Sequence, residues 1–122
     1  LLYQFTGYRS FLKDAQNIAE ACYNYFFINF VPEEGEAFKL LKKGDVWFTA
    51  IMLRGFIELY LIDHNEKYIN SFNRNMDYAW GHVRDKKGLF DTDFSGRTHD
   101  DRKWQLTQAA MVEMYARLAV TK

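Results

Sequence analysis

The sequence is poor in the residues that staple, kink or polarise a chain. Of 122 residues one is cysteine and one is proline, and 16 Lys and Arg balance 16 Asp and Glu. A single cysteine cannot close an intrachain disulfide, so a cross-linked scaffold is excluded. Zero net charge leaves no basic field, which excludes nucleic acid or an anionic membrane surface as the main partner. No apolar run approaches the roughly 18 residues of a transmembrane helix, and no charged-then-apolar leader is present. Glycine-rich phosphate loops, paired cysteines and His-Glu-x-x-His are also missing, and His64, His82 and His99 lack ligand spacing. No metal or cofactor is therefore expected. The chain begins at Leu1 instead of Met, which points to processing or excision.

Apolar and aromatic residues, by contrast, are plentiful. Hydrophobic residues make up 48% of the chain and aromatics 18%, enough burial to offset the ordering entropy and exclude disorder. The length fits one compact domain over residues 1–122.

Spacing predicts four amphipathic helices. The first spans about Ser10 to Ile28, with Phe11, Leu12, Ala15, Ile18, Ala19, Cys22, Tyr25 and Phe26 on one stripe, three or four residues apart. Pro32 and Gly35 lie in the segment that stops it. The second starts after Asp45, a residue suited to an N-cap, and runs to about Ile62. It is apolar nearly all round, which predicts burial on every side. The third, from about Asn65, carries Tyr68, Ile69, Phe72, Met76, Ala79, Trp80 and Val83 on one face. The fourth, from about Asp101 to Ala119, turns Trp104, Met111, Val112, Tyr115 and Leu118 inward. No segment sustains strand alternation, so the class read here is all-α.

The helices also echo each other. Glu58-Leu59-Tyr60 recurs as Glu113-Met114-Tyr115, and Phe11-Leu12 aligns with Tyr68-Ile69. Helix pairs repeating at this spacing predict stacked α-hairpins, with one-faced helices outside and more apolar ones inside.

Beyond periodicity, several ordered strings carry a resemblance. They are Trp47-Phe48, Leu53-Arg54-Gly55-Phe56-Ile57-Glu58-Leu59-Tyr60, Tyr78-Ala79-Trp80, Arg84-Asp85-Lys86-Lys87-Gly88-Leu89-Phe90, Phe94-Ser95-Gly96-Arg97 and the run from Lys103-Trp104 to Arg117-Leu118. In this order and spacing they resemble the C-terminal part of glycoside hydrolase family 76, the α-1,6-mannanases. The resemblance implies helical hairpins of an (α/α)6 toroid, of which about two are here, and a retaining endo-glycosidase acting on α-mannan. It also implies export, to a secreted, periplasmic or cell-surface location, and missing N-terminal hairpins. The family's adjacent catalytic Asp pair sits in an earlier hairpin, and no matching motif occurs at a corresponding place in this chain. Catalysis by the chain alone is not expected.

Among candidate residues, Asp100 and Asp101 are an adjacent acidic pair, and retaining glycosidases need two carboxyls about 5 Å apart. The plainer reading is that the two cap the fourth helix and complement its dipole. Asp91-Thr92-Asp93-Phe94-Ser95-Gly96 imitates the first half of a calcium loop, but the closing position is Arg102, so a hydrogen-bonded loop is the simpler expectation. Trp47, Phe48, Phe94 and Trp104 lie near the starts of the inner-type helices and serve either as core or as sugar-stacking platforms. Arg54 and Glu58, four apart, are expected to satisfy each other, with a substrate hydroxyl as Arg54's alternative partner. Cys22 reads as a small core residue. Against the mannanase reading stands a stand-alone helical module that binds glycan or protein, and the apolar flanks of an open arc also predict self-association.

Overall fold

The structure, a computed structural model, describes residues 1–121. In order along the chain come α1 (Leu2–Thr6), α2 (Arg9–Phe26), β1 (Phe27–Phe30), β2 (Phe38–Leu41), α3 (Val46–Asp63), α4 (Lys67–His82) and α5 (Gln105–Thr121). The fold is mostly helical, and none of its described helices is long and apolar enough to cross a membrane.

The all-α expectation needs one correction. β1 and β2 form an antiparallel ribbon in which Phe27 faces Leu41 and Phe30 faces Phe38. Four-residue strands are too short to display a period of two, and β1 has buried residues at both ends with exposed ones between. The ribbon therefore replaces the expected last turn of the first helix. Its second edge is closed by Asn75 of α4, a fully buried amide. Asn75 Oδ1 accepts from Leu41 N at 2.9 Å, and Asn75 Nδ2 donates to Lys39 O and to Ser71 O, each at 2.8 Å. One side chain thus satisfies backbone groups that an edge strand would leave open.

Three helix boundaries follow local chemistry. Asp45 caps α3, its carboxylate accepting from Trp47 N at 3.0 Å, as its position predicts. At the other end His64 adopts a left-handed conformation (φ 56°) and its amide donates to Tyr60 O. The fourth predicted helix starts late, at Gln105, because residues 101–104 are drawn into the preceding connection.

α3 is the central helix. It packs most extensively on α5 and also lies against α2 and α4. Ala50 and Leu53 of α3, Phe72 and Met76 of α4, and Ala110, Met111 and Met114 of α5 are buried together in one core. Aromatic edges and faces join the ribbon to α2 and α4, through Tyr23–Phe27 (4.9 Å) and Phe27–Phe72 (5.5 Å), and join α3 to α4 through Phe56–Tyr68 (4.7 Å between ring centroids).

Burial departs from the sequence pattern on one flank. Ile18, Tyr25 and Phe26 of α2, and Phe48, Ile51 and Leu61 of α3, are exposed although the apolar pattern places them inside. Neighbours cover α3 on part of its circumference only, so its expected all-round burial is not met within residues 1–121. On α5, Val112 is likewise exposed, as is Trp104 just before the helix.

Replacing Asn75 by Ala leaves the ribbon edge unsatisfied in a buried position. A loss of about 2–4 kcal/mol is expected, from desolvation penalties of roughly 1–3 kcal/mol per orphaned group. Urea denaturation of Asn75→Ala checks this; a change below about 0.5 kcal/mol would show that the amide does not hold the ribbon.

Candidate functional site: the cleft at the start of α3 and α5

The long connection from α4 to α5 crosses the end of the molecule where α3 and α5 begin. It is shaped around one carboxylate. Asp91 is 1% exposed, and its Oδ2 accepts from His99 Nδ1 at 2.9 Å. Asp91 Oδ1 accepts from Asp100 N at 2.9 Å and from the Lys103 ammonium. Burial pushes its pKa up, but Lys103, then His99 and the Asp100 amide, outweigh it and hold the carboxyl below its ordinary value. Asp91 N in turn donates to Val83 O, tying the carboxylate to the last turn of α4.

Asp93 organises the next turn in the same way. It accepts from Ser95 N and Oγ and from Thr98 N and Oγ1, and these donors lower its pKa against the effect of burial. Gly96 sits there at φ 74°, and a Cβ on it would lie 2.5 Å from His82 O. Only glycine fits that turn. Every oxygen of Asp91 and Asp93 thus faces a protein donor, which is the hydrogen-bonded loop the sequence suggests. Among the described residues no group of three His, Cys, Asp or Glu side chains is placed to hold a metal.

Asp100 and Asp101 do not cap α5. The helix begins four residues after Asp101, and Asp100 turns both oxygens to Thr92, accepting from its N at 2.7 Å and its Oγ1 at 2.8 Å. The two carboxylates therefore sit in different environments, one bound into the loop and the other exposed.

A cleft of about 560 Å³ opens beside them, lined by Lys43, Asp45, Thr92, His99, Asp100, Asp101, Arg102, Trp104 and Thr107. The Lys43 ammonium donates to Thr98 Oγ1 at 3.3 Å, linking the segment after the ribbon to the connection. Trp104 is 65% exposed at the cleft edge, a broad apolar face beside carboxylates and hydroxyls. Such a mixture of an aromatic face with donors and acceptors suits a polyhydroxylated ligand.

Of the sequence candidates, the fold brings Asp100, Asp101 and Trp104 together in this cleft. Phe94 is buried at 1% exposure, packed as core with no face open to a ligand. Phe48 is exposed, but it belongs to the α2–α3 flank. Trp47, half-buried, lies under the Arg54 guanidinium, 5.4 Å from the ring centroid.

The expected Arg54–Glu58 pair is replaced by a pair between helices. Arg54 makes a two-pronged contact with Glu113 of α5, at 2.6 and 2.9 Å, and Arg117 adds a third bond at 2.8 Å. A guanidinium fork matches a carboxylate facing it across a helix interface better than one a turn along its own helix. Arg54, followed by Arg117, holds the Glu113 carboxyl down at about 2. Sequence reasoning missed Asp91, His99 and Lys103 as organisers and Glu113 as Arg54's partner. Only the Glu58/Glu113 repeat signals the latter, by putting both glutamates at one place in the helix pair.

No family model matches the chain, and no curated protein matches it. Solved structures do. A family 76 glycoside hydrolase from a bovine Bacteroides thetaiotaomicron strain superposes with a TM-score of 0.92 at 39% identity, over 98% of this chain and 26% of that one. The family 76 glycoside hydrolase (mannosidase) Bt3792 from Bacteroides thetaiotaomicron VPI-5482 superposes with a TM-score of 0.90 at 41% identity, over 98% of this chain and 32% of its own.

Asp91 makes the stability of the connection pH-dependent. Its pKa is lower folded than unfolded, so its contribution is complete above the ordinary carboxylate range and is lost as pH falls through the folded value. Asp91→Asn is expected to cost about 3–5 kcal/mol at pH 7, the usual cost of orphaning one partner of a buried pair. The difference from the parent should shrink toward pH 3. Chemical denaturation at the two pH values measures it, and equal differences at both would contradict the assignment.

Over nearly its whole length, then, the chain matches in sequence and backbone about a quarter to a third of the length of these two family 76 glycoside hydrolases, and to that family this stretch belongs.

Proposed function

We propose that the chain is the C-terminal part of an exported endo-glycosidase of the α-1,6-mannanase type. In this reading it supplies two hairpins of an (α/α)6 toroid and one wall of the substrate cleft. The observation that carries the proposal is an aromatic, carboxylate-lined cleft on a chain sharing about two-fifths of its aligned residues with family 76 enzymes. One of those relatives is described as a mannosidase.

The roles divide by environment. Trp104 offers its exposed ring face to the C–H side of a mannose unit. Asp101 and Asp45, both exposed in the cleft, accept from sugar hydroxyls, and Lys43 and Arg102 donate to them. Asp100 acts as a strut, since Thr92 occupies both its oxygens. A retaining mechanism needs one carboxylate free to attack C1 and a second, protonated, to deliver a proton to the leaving oxygen. Asp100 is not free for either part, so the pair that cleaves the bond comes from a segment outside these residues. The chain alone binds weakly and does not turn over.

The purified chain is expected to retain α-1,6-mannan oligosaccharides on affinity electrophoresis and to release no reducing sugar from them. Trp104→Ala should weaken retention by roughly 3–10-fold, the value of one aromatic stacking contact. Hydrolysis that disappears in Asp101→Asn would overturn the reading. Equal retention of unrelated glycans would instead assign the face to a stand-alone glycan-binding module.

A further inference from the structure

Along α2 and α3 runs an open apolar groove. Two adjoining clefts of about 420 and 600 Å³ form it, and Ala15, Ile18, Gly55 and Leu59 line both. It follows α3 from Phe48 to Ile62, about 21 Å at the helical rise, room for a helix of four turns. Gly55 forms a smooth floor with nothing within 4 Å of where its Cβ would be. Two acids, Asp14 of α2 and Glu58 of α3, line it; Glu58, on the helix the groove follows, is exposed and has no salt-bridge or hydrogen-bond partner among the described residues.

The internal repeat indicates what covers such a face. Shifting α3 by the repeat spacing sets Met52, Gly55 and Leu59 on Thr107, Ala110 and Met114 of α5, and Glu58 on Glu113. On α5 these counterparts are not open. Thr107, Ala110 and Met114 are 7%, 0% and 0% exposed, and α3 is the helix packed most extensively on α5. Glu113 takes the two-pronged contact from Arg54 of α3. Ala50, Arg54 and Ile57, spaced four and three apart, are one stripe of that covering helix.

We propose that the α2–α3 groove is the seat of a further α-helix that presents an α3-like stripe, small and branched apolar residues around an arginine aimed at Glu58. The helix lies on α3 as α3 lies on α5, and its guanidinium pairs with Glu58 as Arg54 pairs with Glu113. This rests on the reading of the chain as one arc of a larger helical ring. The apolar contact supplies the affinity and the charge pair sets the register, because a carboxylate at the edge of an apolar groove penalises any helix without a cation opposite it.

Cys22, the chain's one cysteine, lines the groove and reports on its occupancy. The probe is a synthetic peptide of residues 46–63 with a solubilising lysine tail; it contains no cysteine and carries Arg54. The expected result is a saturable slowing of Cys22 reaction with a thiol reagent. In the Glu58→Arg chain the half-saturating peptide concentration should rise about tenfold, a change on the scale measured for close charge pairs across interfaces. An Arg54→Glu peptide should restore tight protection to that variant while protecting the parent poorly. Absence of protection, or protection indifferent to both charge changes, overturns the proposal. Protection that grows with chain concentration without peptide also overturns it, assigning the groove to a second copy of the chain. Mannan retention is measured on the same samples, and its persistence alongside failed protection would remove the groove assignment without touching the mannan reading.

Discussion

Asp91 is a fully buried carboxylate in the connection between α4 and α5, a segment without helix or strand. Its partners are a lysine, a histidine and a backbone amide from residues 99–103, while its own amide is held by the end of α4. Burying a charge is unfavourable by several kcal/mol unless the site supplies charge and hydrogen bonds in return, so the connection has few alternative arrangements that keep Asp91 satisfied. Everything at the candidate site depends on that restriction. Asp100 is placed by Asp91 and holds Thr92; Lys103 enters on the adjacent residue to Trp104. The exposed indole therefore stands on a fixed base.

The same segment explains why an acidic pair adjacent in sequence is divided in environment. Neighbouring carboxylates read from sequence look equivalent. In the fold, one is consumed by internal hydrogen bonds and the other is left to the solvent. Membership of a hydrolase family thus coexists, in this stretch, with an acidic pair of which only one carboxylate stays open to solvent.

Much of the helical layout is legible in the sequence because it rests on long-period signals. α2, α3 and α4 are each 16 to 18 residues of consistent spacing, and Asp45 caps where its position indicates. The repeated Glu-x-Tyr phrase falls on α3 and α5, the two helices packed most extensively on each other, and the ordered strings around Trp47 and Trp104 carry the family resemblance. The misses have short-range or non-local causes. β1 and β2 are too brief for alternation to register, and their pairing depends on Asn75, more than thirty residues away. Arg54 has a candidate partner one turn along its own helix, and the better one lies on another helix. Asp91 resembles a cation ligand because a buried carboxylate awaiting Lys103 and one awaiting a metal have the same local sequence. Burial on the α2–α3 flank is misjudged for a further reason: an apolar pattern states that a face is to be covered, without naming the segment that covers it.

A single buried carboxylate gives an irregular connection the rigidity of a packed element. Amide hydrogen exchange resolved by residue measures that directly. Thr92 N and Asp100 N, which donate to Asp100 and Asp91 side chains, should exchange as slowly as amides in the first turns of α5, although neither belongs to a helix or strand. Exchange of both at the rate of an open loop, with α3 and α5 still protected, would contradict it.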